Sequence, residues 1–447
     1  MSLFDPSKCG TGIVHIGPGA FHRAHQAVYT EDAMAQDGGD WRIIGVSPRS
    51  TSVADALEAQ SGRYTLVTRG AEGTRYRVIQ SIAGALALTH GVQPVFDHLI
   101  APQTKIVSLT VTEKAYRSDA PMIALLLDAL DHRRAAGLAP FTLLSCDNLP
   151  DNGAFLRKLV LDAATIRNAA LADWIEEYCR FPSTMVDRIT PAATPALEAE
   201  VAEQTGWADR MPVETEDFSQ WVIEDDFVDG RPAWEVAGAE LVKDVRPYEK
   251  MKLRMLNGAH SMLAYAGHLA DLRYVRDVMS EPVLAAQVAR HMDAAAGTLD
   301  AKAGLESDHY RDALLSRFAN PEIAHETYQI AMDGSQKMPQ RIFAAALDAA
   351  QTGQDLTSFA FATACWARYL AGRTDDGVSY DLRDPRETEL TRLPVANENR
   401  IAALFALTDL VPPELSAHGV FRTKTVAWLD TISERGVLGA LEETANV

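Results

Sequence analysis

Short apolar runs alternate with helical patterns along the first third of the chain, and no other feature constrains the fold as much. Gly12–Ile16, Trp41–Val46, Lys105–Val111 and Phe141–Cys146 read as strands, with helical patterns over Ala24–Gln36, Ser52–Ala59 and Pro121–Ala136. Strands joined by helices pair in parallel. A parallel sheet needs both faces covered, which is why its strands read as continuous apolar runs. A fifth strand is expected through Met185–Ile189 and a β-hairpin arm over Trp221–Phe227. Past about Arg246 the texture changes. Tyr248–Leu370 is rich in Ala, Leu and Met, punctuated by Pro282, Pro321 and Pro339, and Val378–Arg386 is a polar loop before the last helices. At 447 residues the chain exceeds one ordinary core. The expected class is α/β, with a parallel-sheet domain over residues 1–246 and a mostly α-helical C-terminal domain over 247–447.

A formal net charge of −19 argues against a nucleic-acid partner, because phosphate contacts need a basic surface. Any anionic substrate has to be met by local cations acting against the global field. No apolar run reaches the ~18 residues of a membrane span. Asp5, Pro6 and Lys8 interrupt the start where a signal peptide carries its apolar segment, so a cytoplasmic location is expected. Cys9, Cys146, Cys179 and Cys365 are too scattered for a disulfide framework or a zinc site. His325-Glu326 lacks the second histidine of a metalloprotease motif and reads as an ordinary surface pair. No metal is expected.

The first apolar run ends in Gly17-Pro18-Gly19 and opens into a helix. A GxG turn in that position is where a Rossmann-type domain takes a dinucleotide pyrophosphate. The glycines admit the backbone and the helix N-terminus supplies N–H donors. His22 stands where the third glycine of the fingerprint would be. The expected cofactor-binding residues are Gly17, Gly19, Ala20, Phe21 and Arg23, with Ser47 and Arg49 after the second strand. Asp40 precedes that strand, at the wrong end to read a ribose. Arg49 would suit a 2′-phosphate or be a solvated loop residue. NAD(H) is the expected cofactor, with NADP(H) as the alternative.

In MKLRMLNGAH, residues 251–260, Lys252, Asn257 and His260 stand among Met and Leu. At about 100° per residue they share one arc of roughly 140° with Leu253 and Leu256. Desolvation lowers the pKa of a lysine in such a setting, which suits a general base near neutral pH. A nearby Asn amide can donate to a developing alkoxide, and a His can orient a hydroxyl. The alternative is a snorkelling lysine beside satisfied core polars. Ser145-Cys146-Asp147-Asn148 closes the fourth strand at the end where α/β sheets place ligands. Asp187 and Arg188 lie inside an apolar strand, so Asp187 is a partner either for Lys252 or for Arg188.

Several long stretches are familiar together: GPGAFHRAHQAVY, SLTVTEKAY, SCDNLPDNG, FPSTMVDRITP, QWVIEDDFVDGRPAW, YEKMKLRMLNGAH and AMDGSQKMPQR. From about residue 10 to 345 the chain resembles the mannitol dehydrogenase family, the polyol-specific long-chain dehydrogenases that include mannitol 2-dehydrogenase and fructuronate reductase. The resemblance implies a Rossmann domain, a mostly helical domain and an active site in the cleft between them. It implies Lys252 as a metal-independent general base and Asn257 and Asn148 as the two donors of an oxyanion hole. His260 would hold substrate hydroxyls, Asp187 and Lys337 would contact substrate, and Glu113 and Glu249 would line a proton path. Eight residues before Lys337, mannitol dehydrogenases have an Arg where this chain has Gln329. QIAMDGSQKMPQR looks more like the fructuronate reductase branch, and the stretch between Glu113 and Asn148 is shorter than in relatives of either branch.

The expected function is hydride transfer between NAD(P) and a linear sugar alcohol or sugar acid, with mannonate/fructuronate slightly ahead of mannitol/fructose. Lys337 and Arg341 are the cations for a substrate carboxylate. A non-catalytic dinucleotide-binding sensor on the same scaffold is the alternative. The expected assembly is a monomer or a weak homo-oligomer.

Overall fold

The computed structural model describes residues 5–111 and 116–445. The chain divides into two compact units, Met1–Arg246 and Pro247–Val447. In the first unit the strands are β1 (Thr11–Ile16), β2 (Arg42–Ser47), β3 (Tyr64–Gly70), β4 (Gly73–Ile79), β5 (Ile82–Ala87) and β6 (Ile106–Leu109), then β7 (Thr142–Ser145), β8 (Thr184–Asp187), β9 (Val213–Glu216), β10 (Gln220–Glu224) and β11 (Glu240–Val242). Five of them form an all-parallel Rossmann-type sheet in the order β5-β2-β1-β6-β7. The winding reverses between β1 and β6, which is the switch point where such sheets bind ligands.

Side chains alternate between the faces of each strand, and both faces are covered. Val14, Ile16, Val46, Val107 and Leu109 pack with Leu99, Leu126 and Leu156 of helices Gln93–Ile100, Pro121–Ala135 and Asn152–Arg167. Ile13, Ile43, Ile106 and Leu144 pack on the other side with Ala27, Val28 and Leu57.

The fifth strand of the sheet is Ile82–Ala87, not the segment around Met185. Its sequence IAGALA has one β-branched residue, Ile82, among mostly small ones, so it lacks a strand's signature. Residues Thr184–Asp187 pair antiparallel with β10 in a separate three-stranded sheet, β11-β10-β8. The segment around Trp221 is therefore the central strand of that sheet. A third sheet, β4-β3-β9, is built on the β3–β4 hairpin. The helix expected over Ala24–Gln36 is α2 (Gln26–Asp37), preceded by a short helix α1 (Ala20–Ala24) from which it is separated at His25, with φ −121° and ψ −94°.

The second unit is helical. Its central helix, Gly258–Leu269, is buried along nearly its whole length and packs against Thr357–Tyr369 and Pro282–Ala296. Two of its segments are π-helical, Lys252–Asn257 and Pro339–Phe343. The Gly258 N–H donates to the Leu253 carbonyl and the Ala344 N–H to the Pro339 carbonyl, each five residues back. The two π turns meet at Gly258, where a Cβ would stand 3.0 Å from the Arg341 carbonyl oxygen and 3.2 Å from His291 Nε2. Among the described residues, no helix is long and apolar enough to cross a membrane.

Candidate active site

In the first unit, β1 ends at Ile16 beside Val46 of β2, and the Gly17 N–H donates to the Val46 carbonyl at 2.9 Å. Gly17 has φ +97°, and a Cβ there would stand 2.1 Å from the Thr110 carbonyl oxygen, so only glycine fits. Thr110 Oγ1 donates to the Gly17 carbonyl at 2.7 Å and holds the turn against the segment after β6. Gly19 caps α1 and is exposed, with Ala20 and Phe21 starting the helix. A Cβ on Gly19 would meet only the Gly17 carbonyl, at 3.8 Å, so the backbone here is open to a ligand. Ser47 is buried at the end of β2, and Arg49 is exposed two residues on. Arg23 points inward. Its guanidinium donates to the Pro18 and Met211 carbonyls and lies over the Tyr64 ring, so it braces the turn from behind. Burial draws its pKa down to about 10, which leaves it charged.

The missing third glycine has a structural explanation. The His22 ring stacks on His15 with centroids 3.4 Å apart and planes 11° off parallel. Close helix–strand contact is thus made by two flat rings instead of a bare backbone. His15 is tied to Ser108 Oγ (2.7 Å), Thr110 Oγ1 (2.9 Å) and the Gly17 carbonyl (3.2 Å). Burial pushes its pKa down to about 3 and that of His22 well below the usual imidazole value, so both rings are neutral.

Asn148 is exposed in the turn after β7. That turn is fixed by Asp147, whose carboxylate accepts from the Val111 N–H (3.0 Å) and the Tyr116 hydroxyl (2.7 Å). Asn152 ties the Asp147 carbonyl to the Thr184 carbonyl at 2.9 Å each, joining the turn to β8. Asp187 ends β8 and is buried. The guanidinium of Arg188 donates to the Ala24 and Glu216 carbonyls. Glu113 lies outside the described residues.

In the second unit, Glu249 belongs to the helix Arg246–Met251 and the π turn begins at Lys252. The α-wheel set Lys252 and Asn257 roughly 140° apart. Hydrogen bonds to the fifth residue back widen the turn and draw positions five apart toward the same side. Lys252 is buried, while Asn257 and His260 are half-buried. Arg254 leaves by another side, donating to Thr298 Oγ1 (2.7 Å) and Asp348 (2.7 Å). His260 stacks on Phe318 with centroids 4.4 Å apart. Burial, reinforced by His325, Arg317 and Arg341, lowers its pKa far below the ordinary value.

Arg341, on the second π turn, donates to Ser261 Oγ at 3.2 Å and to the Asn257 carbonyl at 3.5 Å. Lys337 donates to the Ile330 and Met332 carbonyls at 3.1 and 2.6 Å. Burial and then Arg341 lower its pKa, against Asp333 and Asp384. Among the described residues, neither Lys337 nor Arg341 forms an ion pair. Gln329 is exposed on the helix Thr327–Ala331. The second unit thus gathers Lys252, Asn257, His260, Lys337 and Arg341 around two π turns. No group of three or more His, Cys, Asp or Glu residues is arranged for a metal among the described residues.

Sequence reasoning missed Thr110, Tyr116 and His15, which hold the turns after β1 and β7, and it named Asp147 and His22 without their structural roles. It also missed Asp384, which accepts from the Ser335 N–H (2.7 Å) and Ser335 Oγ (2.6 Å) and so fixes the start of the helix Gly334–Met338 that carries Lys337. His325 is corrected. It is half-buried with its ring 5.5 Å from that of His260, and Glu326, also half-buried, pairs with Arg273. The polar loop VSYDLRDPR and the position of His325, twelve residues before Lys337, were the only hints available.

Family models described as the mannitol dehydrogenase Rossmann domain and the mannitol dehydrogenase C-terminal domain match residues 11–236 and 244–432. The chain is 39% identical to the D-mannonate oxidoreductase of Escherichia coli K12, over 97% of this chain and 95% of the relative. Its structure is similar to that of Pseudomonas fluorescens mannitol 2-dehydrogenase in a ternary complex with NAD and D-mannitol. That match has 35% identity and a TM-score of 0.77, covering 100% of this chain and 96% of the other. A substrate-free D-sorbitol dehydrogenase matches with a TM-score of 0.91 at 32% identity, over 98% and 96%.

Proposed function

We propose, from the premise that this chain belongs to the mannitol dehydrogenase family of oxidoreductases, that it interconverts a secondary alcohol and a ketone on a linear sugar acid of the mannonate/fructuronate type. The carrying observation is the pair Lys337 and Arg341, two half-buried cations that form no ion pair among the described residues. A buried cation without an anion is costly, and a substrate carboxylate offsets that cost where a neutral polyol does not. Gln329 and the 39% identity to a D-mannonate oxidoreductase point the same way. The relatives are oxidoreductases by name, so the sensor alternative gains nothing from them.

NAD(H) is the proposed cofactor. The open backbone at Gly19 and the turn that only glycine at position 17 allows suit a pyrophosphate at Gly17–Phe21, with Ser47 and Arg49 near the ribose. When bound, the cofactor supplies the hydride acceptor or donor. The chain's own residues handle the proton and the charge. Lys252 Nζ takes the hydroxyl proton as the carbon gives up hydride. Asn257 and Asn148 donate to the oxygen as negative charge builds, worth about 2.7–4 kcal/mol per donor. His260, kept neutral, orients a neighbouring hydroxyl, and Asp187 holds the substrate beside the base. Glu249 and Glu113 pass the proton on.

Lys252→Ala tests the mechanism. Turnover near neutral pH should vanish while the nicotinamide cofactor still binds, and turnover like that of the wild type would refute the base. Following nicotinamide absorbance with NADH and NADPH against fructuronate, tagaturonate and fructose settles cofactor and substrate together.

A further inference from the structure

We propose that His325 contacts the substrate and, with Lys337 and Arg341, holds the carboxylate end of a sugar acid, so that it selects acids over neutral polyols; this deepens the reading above and rests on it. The position of His325 is set by its backbone, whose carbonyl accepts from the Val275 N–H at 3.0 Å. Thr327, two residues on, is fixed to the Arg273 carbonyl at 2.9 Å. Glu326 turns away to Arg273 at 2.8 Å, and the histidine ring turns inward. It meets the edge of His260 at 5.5 Å and 77°, and the far face of the cluster is closed by Phe318 stacked on His260.

Among the described residues, no ring nitrogen of His260 or His325 has a hydrogen-bond partner, and both residues are half-buried. The cations felt by the His325 ring are Arg317 and Lys337, and those felt by His260 include Arg317 and Arg341. The acids near Lys337 are Asp333 and Asp384. Asp384 is already committed to Ser335 and the Arg386 N–H. Two neutral imidazoles therefore lie within electrostatic reach of Lys337 and Arg341, in a protein of net charge −19, and among the described residues no carboxylate forms an ion pair with either cation. A carboxylate offers about four lone-pair sites to such donors. A neutral imidazole adds an N–H without adding another charge to repel its neighbours. A polyol hydroxyl at this place gains little from the cations.

The test measures kcat and KM of the full-length His325→Ala and His325→Gln variants. The substrates are fructuronate and mannonate, with mannitol as substrate or competitive inhibitor. For His325→Ala, KM for the acids should rise about 10- to 100-fold, as expected for a lost charge-assisted hydrogen bond. kcat should change little, and the constant for mannitol should stay within about threefold. His325→Gln, which keeps one N–H, should recover part of the loss. Equal changes for acid and polyol, or no change for either, would overturn the proposal. If the Ala variant does not fold, the Gln variant decides by the same comparison. Wild-type enzyme without activity on any sugar acid would instead overturn the substrate reading itself, whereas activity on acids that both variants retain unchanged would overturn only the role of His325.

Discussion

Asp384→Ala probes how the substrate helix is held. Asp384 accepts three hydrogen bonds, from the Ser335 N–H at 2.7 Å, Ser335 Oγ at 2.6 Å and the Arg386 N–H at 2.8 Å. Ser335 is only 4% exposed, so truncation leaves its N–H and hydroxyl buried without an acceptor. Each such group costs about 1–3 kcal/mol, while the half-buried Arg386 N–H is rehydrated. The expected loss is about 2–6 kcal/mol out of a stability that is typically about 5–15 kcal/mol. Functional damage follows from position. Ser335 and Lys337 share the five-residue helix Gly334–Met338, so the amine moves when the helix start loosens. Denaturant titration should show the stability loss, and KM for the sugar acid should rise with kcat little changed. Asp384→Asn, which keeps one acceptor, should recover roughly half of the stability. A stability loss below about 1 kcal/mol together with an unchanged KM would show that this loop does not hold the helix.

Two further expectations concern the first unit. Gly17→Ala forces a Cβ toward the Thr110 carbonyl from a backbone at φ +97°, so cofactor affinity measured by fluorescence titration should fall by more than tenfold, and the melting temperature should fall too. Stability should also decline in acid because of His15. Its pKa is about 3 when folded against 6.5 when free, so the unfolded chain binds the extra proton. The contribution is complete above about pH 6.5 and shrinks as pH falls toward 3, by about 2 kcal/mol at pH 5. Urea midpoints at pH 7 and 5 should converge in His15→Gln relative to the wild type.

The sheet was legible where its strands were apolar and β-branched, as in GIVHI and WRIIGV, because periodicity and residue type agreed there. IAGALA was not legible, since Ala and Gly pack a crowded strand without announcing one, and Gly84 pairs with Ile44 where the strand register shifts. The polar arc of Lys252, Asn257 and His260 was visible on a wheel, but the wheel assumed 3.6 residues per turn. Side-chain identity does not encode whether a carbonyl is met by the fourth or the fifth following N–H. Where the π turn ends, Gly258 packs tightly against the Arg341 backbone and the His291 ring, contacts that lie far away in the sequence. His325 was hidden because its neighbour Glu326 does form the surface pair expected of it, with Arg273. Glu326 lies in an extended bridge to Tyr274, where adjacent side chains face opposite ways, and the sequence gives no sign of which one turns inward.

The paired π turns also govern which changes in length the molecule can absorb. Each holds one residue more than an α-turn of the same span. Removing a residue between Lys252 and Asn257 would let the segment relax to ordinary helix with His260 and the residues beyond it still in phase with Lys252, because the wide turn had absorbed the extra position. Exchanging a side chain there alters one contact, whereas losing a position removes the wide turn that draws Lys252 and Asn257 toward one side and leaves the helix beyond it where it was. The turn is thus a store for one residue, and what that residue sets is the spacing of the two polar groups at its ends.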